Sequence, residues 1–347
     1  MKLKTLYTGL MLSLSALTGV TLTSCNGMIY DDEGDCDPHY KVKFRYDMNM
    51  KFADAFSNEV NAVTLYVVDD ATGRIVWQKS ESGESLRSEG YLMDVDVAPG
   101  RYTLLAWCGE GAGTHFTIPE SDVHTGLTCT LGRKRHESGY AYNDEDLNRL
   151  YHGRLDAAEF PDEQGTHVYT VSLTKDTNVV RVVLQHLSGE PVEYKNFDFR
   201  ITDNNGVLDW DNSLLEDEPM TYHAWSVSGG SASIENPDVK PASSRSQNQF
   251  SAALAELTTS RLVKRAKTAD EPRLTVTRKD GSNVLSIPLI KTVLLVKGHH
   301  NRAMSDQEYL DRQDEYNLVF FLDEGDRWIN TTIYINSWQV VLQDTEL

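Results

Sequence analysis

Apolar and charged side chains alternate over Lys41–Met48 (K-V-K-F-R-Y-D-M), which puts Val42, Phe44, Tyr46 and Met48 on one face. A period of two is the mark of a half-buried strand. Ala62–Val68 is a continuous apolar run closed by Asp69-Asp-Ala-Thr-Gly73, whose Asp and Gly residues supply turn geometry before Arg74–Trp77 returns. Tyr91, Met93, Val95 and Val97 alternate again, Pro99-Gly100 turns the chain, and Tyr102–Cys108 runs back. This order predicts an antiparallel meander.

The pattern then recurs. Val179–Leu187 opens a second set, and Phe197-Asp-Phe-Arg-Ile-Thr-Asp203-Asn-Asn-Gly206-Val-Leu-Asp-Trp210 echoes Leu65-Tyr-Val-Val-Asp69-Asp-Ala-Thr-Gly73-Arg-Ile-Val-Trp77: strand, acidic turn ending in Gly, strand, Trp. The echo predicts an all-β chain of two tandem β-sandwich domains. The polar stretch Lys175-Asp-Thr-Asn178 divides them, giving domains 38–176 and 177–347. Two stretches break the rhythm. Gly132–Phe160 is charged and irregular, with helical propensity over Asp144–Tyr151; Ser226–Ser246 is rich in Ser, Gly, Asn and Pro and predicts a long loop. Ser251–Lys267 is assigned to strand on the hydroxyl and β-branched content of Leu257–Val263. The tail predicts three strands, Tyr316–Leu322, Trp328–Asn336 and Trp338–Leu342, with a polar turn at Asp323–Asp326.

The N-terminus follows a different rule. Lys2 and Lys4 precede Leu6–Leu22, which carries no charge but is diluted by Thr and Ser, the pattern of a signal peptide rather than a spanning helix. Leu22-Thr-Ser-Cys25 resembles a bacterial lipobox, so residues 1–24 are expected to be removed and Cys25 to be lipidated as the first residue of the mature chain. Each buried acyl CH2 contributes ~0.8 kcal/mol, and several chains together hold a protein durably at a membrane. Residues 25–37 would then be a tether, and their run Asp31, Asp32, Glu33, Asp35 resembles the signals that send such lipoproteins to the outer surface.

Charge narrows the function classes. The 347 residues carry 33 Lys and Arg against 52 Asp and Glu, a net charge of −19, and loss of Lys2 and Lys4 with the leader takes it to −21. Such a surface repels phosphate backbones, so nucleic acid is not an expected partner. Cys36, Cys108 and Cys129 remain after Cys25, so at most one intrachain disulfide can form; which pair is open. Cys108 alternates with Ala106 and Leu104 on an apolar face and reads as a buried small hydrophobe.

Catalytic signals are weak. Gly109-Glu-Gly-Ala-Gly113 leads into no helix, His299-His300 has no carboxylate at ligand spacing, and Asp31–Asp37 lacks the Gly and Glu positions of a calcium loop. No cofactor, metal or catalytic residue is expected. Of the six tryptophans, Trp107 and Trp328 read as core, whereas Trp338 opens the last strand with less to fix it.

Several of these segments together resemble the FimB-type family of fimbrial anchor lipoproteins from Bacteroidales. They are Ile29-Tyr-Asp-Asp-Glu-Gly-Asp-Cys36, Phe44-Arg-Tyr-Asp47, Leu65-Tyr-Val-Val-Asp69, Pro99-Gly-Arg-Tyr-Thr103, Tyr309-Leu-Asp-Arg-Gln-Asp-Glu-Tyr316 and Ile333-Tyr-Ile-Asn-Ser-Trp338. The likeness spans essentially all of the mature chain. It implies transthyretin-like sandwiches and a non-enzymatic role, in which the protein holds the base of a fimbrium in the outer membrane, through the lipid, and limits its length by strand-mediated contact with the major stalk subunit. Trp338–Leu347 and the groove beside Lys41–Met48 are the candidate contacts. The competing readings are a surface glycan-binding lipoprotein, favoured by an exposed row of Trp or Tyr rings, and a tip or stalk subunit of the same fold.

Overall fold

The computed structural model describes residues 37–109, 114–234, 248–267, 270–300 and 303–341. In chain order the strands are β1 Pro38–Arg45, β2 Ala62–Asp69, β3 Ile75–Ser82, β4 Met93–Val95, β5 Gly100–Cys108, β6 Phe116–Thr117 and β7 Cys129–Leu131. Then come β8 Lys134–Arg135, β9 Ala141–Asn143, β10 Tyr151–Phe160, β11 Gly165–Lys175, β12 Thr177–His186, β13 Phe197–Asp203, β14 Val207–Leu208 and β15 Met220–His223. The last are β16 Ser226–Ile234, β17 Asn248–Ser260, β18 Arg273–Arg278, β19 Asn283–Pro288, β20 Glu315–Leu322, β21 Trp328–Ile335 and β22 Trp338–Val341. Helices are short, and none among the described residues is long and apolar enough to cross a membrane. The fold is all-β.

The first sheet runs β3-β2-β5-β10-β11-β1-β4. It encloses a core of Tyr40, Val42, Phe44, Leu65, Val67, Leu104, Ala106 and Phe160. The alternation that predicts β1 is real: Tyr40, Val42 and Phe44 are buried and Lys41, Lys43 and Arg45 are not. The expected meander is not. β1 lies parallel to β11, Pro38 beside Gly165 and Arg45 beside Ser172, and β4 pairs antiparallel with β1 instead of with β5. Side-chain period reports which face a residue occupies and says nothing of its neighbour strand. β2 and β5 read as unbroken apolar runs because both faces are covered: Leu65 and Ala106 face the first core, Tyr66, Leu105 and Trp107 the second.

Two further sheets, β16-β17-β12-β20-β21-β22 and β19-β18-β13-β15-β9-β8, enclose the second core. The three tail strands stand as expected, and so does β17. Three expectations are corrected. Asp144–Leu150 is not helical, because Asn143 Oδ1 accepts from the Glu145 amide and His115 Nδ1 from the Asn148 amide, while Leu147 and Leu150 turn inward. The irregular stretch 132–160 contains β10, which is central to the first sheet between β5 and β11. Ser226–Ile234 is no loop: it is β16, held by main-chain pairing to β17, which overrides its small-residue composition. The rest of that predicted loop lies outside the described residues.

The internal echo also fails in detail. β2 and β3 form the expected hairpin, Val67 opposite Trp77. β13 instead lies between β18 and β15, and β14 leaves to pair with β7, Val207 beside Thr130 and Leu208 beside Cys129. Residues 116–150 thus supply strands and core to the second sandwich, with β9 parallel to β15. Lys175-Asp-Thr-Asn178, taken from its polarity as the domain boundary, is buried throughout.

Candidate assembly interface

The first sheet does not close. β3 and β4 are its two ends, and between them lies an open groove of about 480 Å³ whose walls include Pro38, Tyr40, Trp77, Lys79 and Asp94. A strand edge exposes unpaired amide and carbonyl groups in a fixed row, so two edges flanking a groove are a candidate seat for an added strand. Charged side chains guard both rims. Lys41 Nζ lies 2.8 Å from Asp94 Oδ1, tying β4 to β1. On the β3 side Glu81 accepts from Lys79 at 2.7 Å and from Tyr91 Oη at 2.8 Å. Burial opposes ionisation of Glu81, but these two bonds win and hold its carboxyl below the usual range. Burial and the same carboxylate push the Tyr91 phenol well up. The groove proposed beside Lys41–Met48 is therefore displaced: β11 fills one side of β1 and β4 begins to fill the other.

The second candidate edge is the tail. β22 is the end of its sheet, turned back on β21 through Asn336 and Ser337, whose φ values of 47° and 73° fit the positive-φ pair of a tight hairpin. Asn336 Oδ1 takes the Asn317 amide at 2.7 Å, which fixes the turn against β20. Trp338 and Val341 stay exposed. Residues 342–347 lie outside the described residues.

The 309–316 run forms a clasp on the loop after β1. It spans the end of the Asp306–Arg312 helix and the start of β20. Arg312 Nη1 donates to the Asp47 carbonyl at 3.0 Å and its guanidinium sits 4.5 Å above the Phe52 ring, so the helix is tied to the loop after β1. Asp314 Oδ2 takes Lys175 Nζ at 2.6 Å, and Glu59 takes the same ammonium at 2.9 Å. Asp311 pairs with Arg261 by two bonds of 2.9 Å. Asp176 is fully buried and receives Asn212 Nδ2 at 2.9 Å. Burial pushes its carboxyl up to about 7 against the pull of Arg261 and Asn212. His152, buried beside Trp107, meets the Trp210 carbonyl at 2.9 Å through Nε2, and burial lowers it to about 4. The 309–316 run stood out in the sequence, whereas nothing there singled out Asp176, His152 or Arg261, whose importance comes from burial alone.

The remaining sequence candidates fall as follows. Cys25 and Cys36 lie outside the described residues. Cys108 is buried in the first core, as its alternation predicts, and Cys129 in the second. Gly109 ends β5, and 110–113 lies outside the described residues. His299 and His300 end a single helical turn, and the described residues contain no cluster of three metal-ligating side chains. Trp107 is core; Trp328 is partly buried, edge-on to Phe320 at 5.6 Å.

The family model for fimbrillin-A associated anchor proteins Mfa1 and Mfa2 matches residues 32–344. A candidate adhesin of Bacteroides thetaiotaomicron is 34% identical with a TM-score of 0.77, covering 90% of this chain and 100% of its own. A candidate polysaccharide-binding protein of the same organism is 30% identical, with a TM-score of 0.72 over 90% and 100% of the two chains. The fimbrial anchor protein Mfa2 of Porphyromonas gingivalis shares the fold at 17% identity, with a TM-score of 0.61 over 89% and 100%. No curated protein matches. A match over nearly the whole chain, on an all-β frame with open sheet edges, settles the grouping: the chain belongs to the family of fimbrillin-A associated anchor proteins, a structural fimbrial family and not an enzyme class.

Proposed function

We propose that the protein is an outer-membrane lipoprotein, lipidated at Cys25 after removal of residues 1–24, that seats the base of a fimbrium and ends its growth by strand-mediated contact with the major stalk subunit. The observation that carries this reading is the placement of β1. Pro38 opens β1 at the wall of the β3/β4 groove, immediately after the tether. The thirteen residues from Cys25 to Asp37 reach at most about 45 Å when extended, so a lipid on Cys25 would keep the groove close to the membrane. β1 itself is locked by eight paired positions along β11, three along β4, and the burial of Tyr40, Val42 and Phe44. A first strand so held cannot be given up to a neighbour without losing core, and if its leading end is fixed in lipid it cannot move along a filament. We retain the division into 38–176 and 177–347 as part of this proposal, with 116–150 reaching across.

Photocrosslinkers at Gln78 on β3 and at Gln339 on β22 test the contact. The proposal expects the stalk subunit to be captured from Gln78. Capture from Gln339 alone would move the contact to the tail, and capture from neither would reject strand-mediated docking. A second reading, saccharide binding, is favoured by the 30% identical candidate polysaccharide-binding relative and by the neighbouring rings of exposed Tyr140 and half-buried Tyr142.

A further inference from the structure

The outer face of the sheet β19-β18-β13-β15-β9-β8 has no covering layer among the described residues at β13, β15 and β9. Its inward positions, Phe199, Ile201, Met220, Tyr222 and Ala141, are buried in the second core. The outward positions carry Asp198, Arg200, His223 and Tyr142 instead. Arg200 and His223 are register partners on β13 and β15. His223 lies 5.8 Å from the Tyr142 ring and 6.5 Å from the Tyr140 ring. Tyr140, 40% exposed in the β8–β9 turn, stacks on His136 at 4.6 Å with the planes 17° apart. The rings therefore form a contiguous cluster, tilted or edge-on to one another apart from the stacked His136–Tyr140 pair, that reaches His223 beside Arg200.

His223 also lines a groove of about 380 Å³ with Tyr194, Phe199, Lys195, Lys279 and Asp198. Charge there runs against the rest of the molecule. The whole chain is −19, yet this groove and the Arg200 beside it bring three cations, Lys195, Arg200 and Lys279, to two carboxylates, Asp198 in the groove and Asp144 near His223. Asp198 is already paired with Lys279, and Lys195 lies 5.7 Å over the Tyr194 ring. Neighbouring cations on β8 are neutralised: Lys134 by Asp144 and Glu145, Arg135 by Glu218. The half-buried Arg200 guanidinium makes no ion pair or hydrogen bond among the described residues.

We propose that this face is a binding site for an acidic saccharide, whose carboxylate pairs with Arg200 and whose sugar ring lies against Tyr140 and Tyr142. A guanidinium matches a carboxylate with two parallel bonds, and an aromatic face accepts the C–H side of a pyranose ring. Two interstrand steps of about 4.8 Å and a register offset of two residues along the strand separate Arg200 from Tyr142, a span of about 12 Å that calls for more than one sugar unit. An extended peptide would add to a sheet edge through its main chain, whereas this is a sheet face whose main-chain groups are already used; an acidic peptide held by its side chains alone is the alternative that polyglutamate tests. The site rests on the saccharide reading and is independent of anchoring, since it lies on the second sandwich and away from β1.

Isothermal titration of the purified protein with tetragalacturonate and with sialyllactose tests it, with cellotetraose and polyglutamate as comparison probes. The proposal expects at least one acidic sugar to bind, a loss of ~tenfold or more in Arg200→Gln because a charge-assisted pair is removed, and a comparable loss in Tyr140→Ala. Tyr140 is in an exposed turn, so its variant keeps the fold and its thermal transition serves as the control. Silence of both acidic sugars at millimolar concentration would overturn the proposal. So would binding that Arg200→Gln leaves unchanged, or polyglutamate binding as tightly as the sugars. Binding of cellotetraose equal to that of the acidic sugars would overturn the site's acidic preference while leaving saccharide binding standing.

Discussion

Arg261 grips Asp311 through two parallel bonds of 2.9 Å and stands 3.6 Å from Asp176, whose carboxyl is wholly buried. One guanidinium thus serves two carboxylates, at the point where β11 passes into β12 and β17 ends. Replacing it strands both. Arg261→Met is expected to lower stability by about 3–5 kcal/mol, the cost of breaking a buried charged network by removing one partner. Arg261→Lys should fall between, because a point charge cannot serve Asp311 bidentately. Urea unfolding midpoints of the three proteins measure this; equal midpoints would mean the cluster is not structural.

Asp176 and His152 give opposite pH signatures. Unfolded, they titrate near 4 and near 6.5 respectively. Folded Asp176 holds its proton up to about 7, so its contribution is full below pH 4 and is lost as pH rises to 7. Folded His152 stays neutral down to about 4, so its contribution is present above 6.5 and is lost as pH falls to 4. Relative to the parent, Asp176→Asn is expected to gain stability between pH 5 and 7, and His152→Gln between pH 6.5 and 4.5. Unfolding curves at half-unit pH steps decide it: parallel profiles would contradict both.

Gly109 belongs to a glycine-rich stretch that resembles a phosphate loop only in composition. Its φ is +86°, and a Cβ there would stand 2.0 Å from the Arg149 carbonyl oxygen. Gly109→Ala is therefore expected to cost about 1–3 kcal/mol through strain that no side-chain movement relieves. Gly139, also at positive φ but with open space around it, serves as the comparison and should cost less. Thermal unfolding of the two variants separates the effects.

Trp107 stands in the first sheet but belongs to the second core, and Leu131 and Ala141 come to that core from the first half of the chain. The two sandwiches are expected to unfold in one calorimetric transition. Trp107→Ala, at about 3–5 kcal/mol for a fully buried ring, should shift that transition whole. Two separated peaks would show that the cores are energetically independent.

What the sequence revealed was facing, and what it hid was pairing. The alternation at Val42 and Phe44 located β1, the unbroken run at Leu104–Cys108 located β5, and the three tail strands were plain. The parallel partnerships β1–β11 and β12–β20 join residues over a hundred positions apart, and no local pattern encodes them. β16 was hidden because its Ser and Gly residues carry no strand propensity and its order comes from β17. At Lys175–Asn178 polarity concealed burial: Glu59 and Asp314 take the Lys175 ammonium, and Asn212 and Arg261 face the Asp176 carboxylate, in the interior. Of the candidate interface, the sequence pointed to β1 and the tail. It did not reveal the gap between β3 and β4, which exists only once seven strands are laid in order.

The claim that a lipid-tethered first strand seats the fimbrium is tested most directly by Cys25→Ala in the native cell, with fimbriae and protein followed in outer-membrane and medium fractions. The account predicts that the variant leaves the membrane fraction and that long fimbriae appear in the medium. Fimbriae of unchanged length that remain on the cell surface would contradict it.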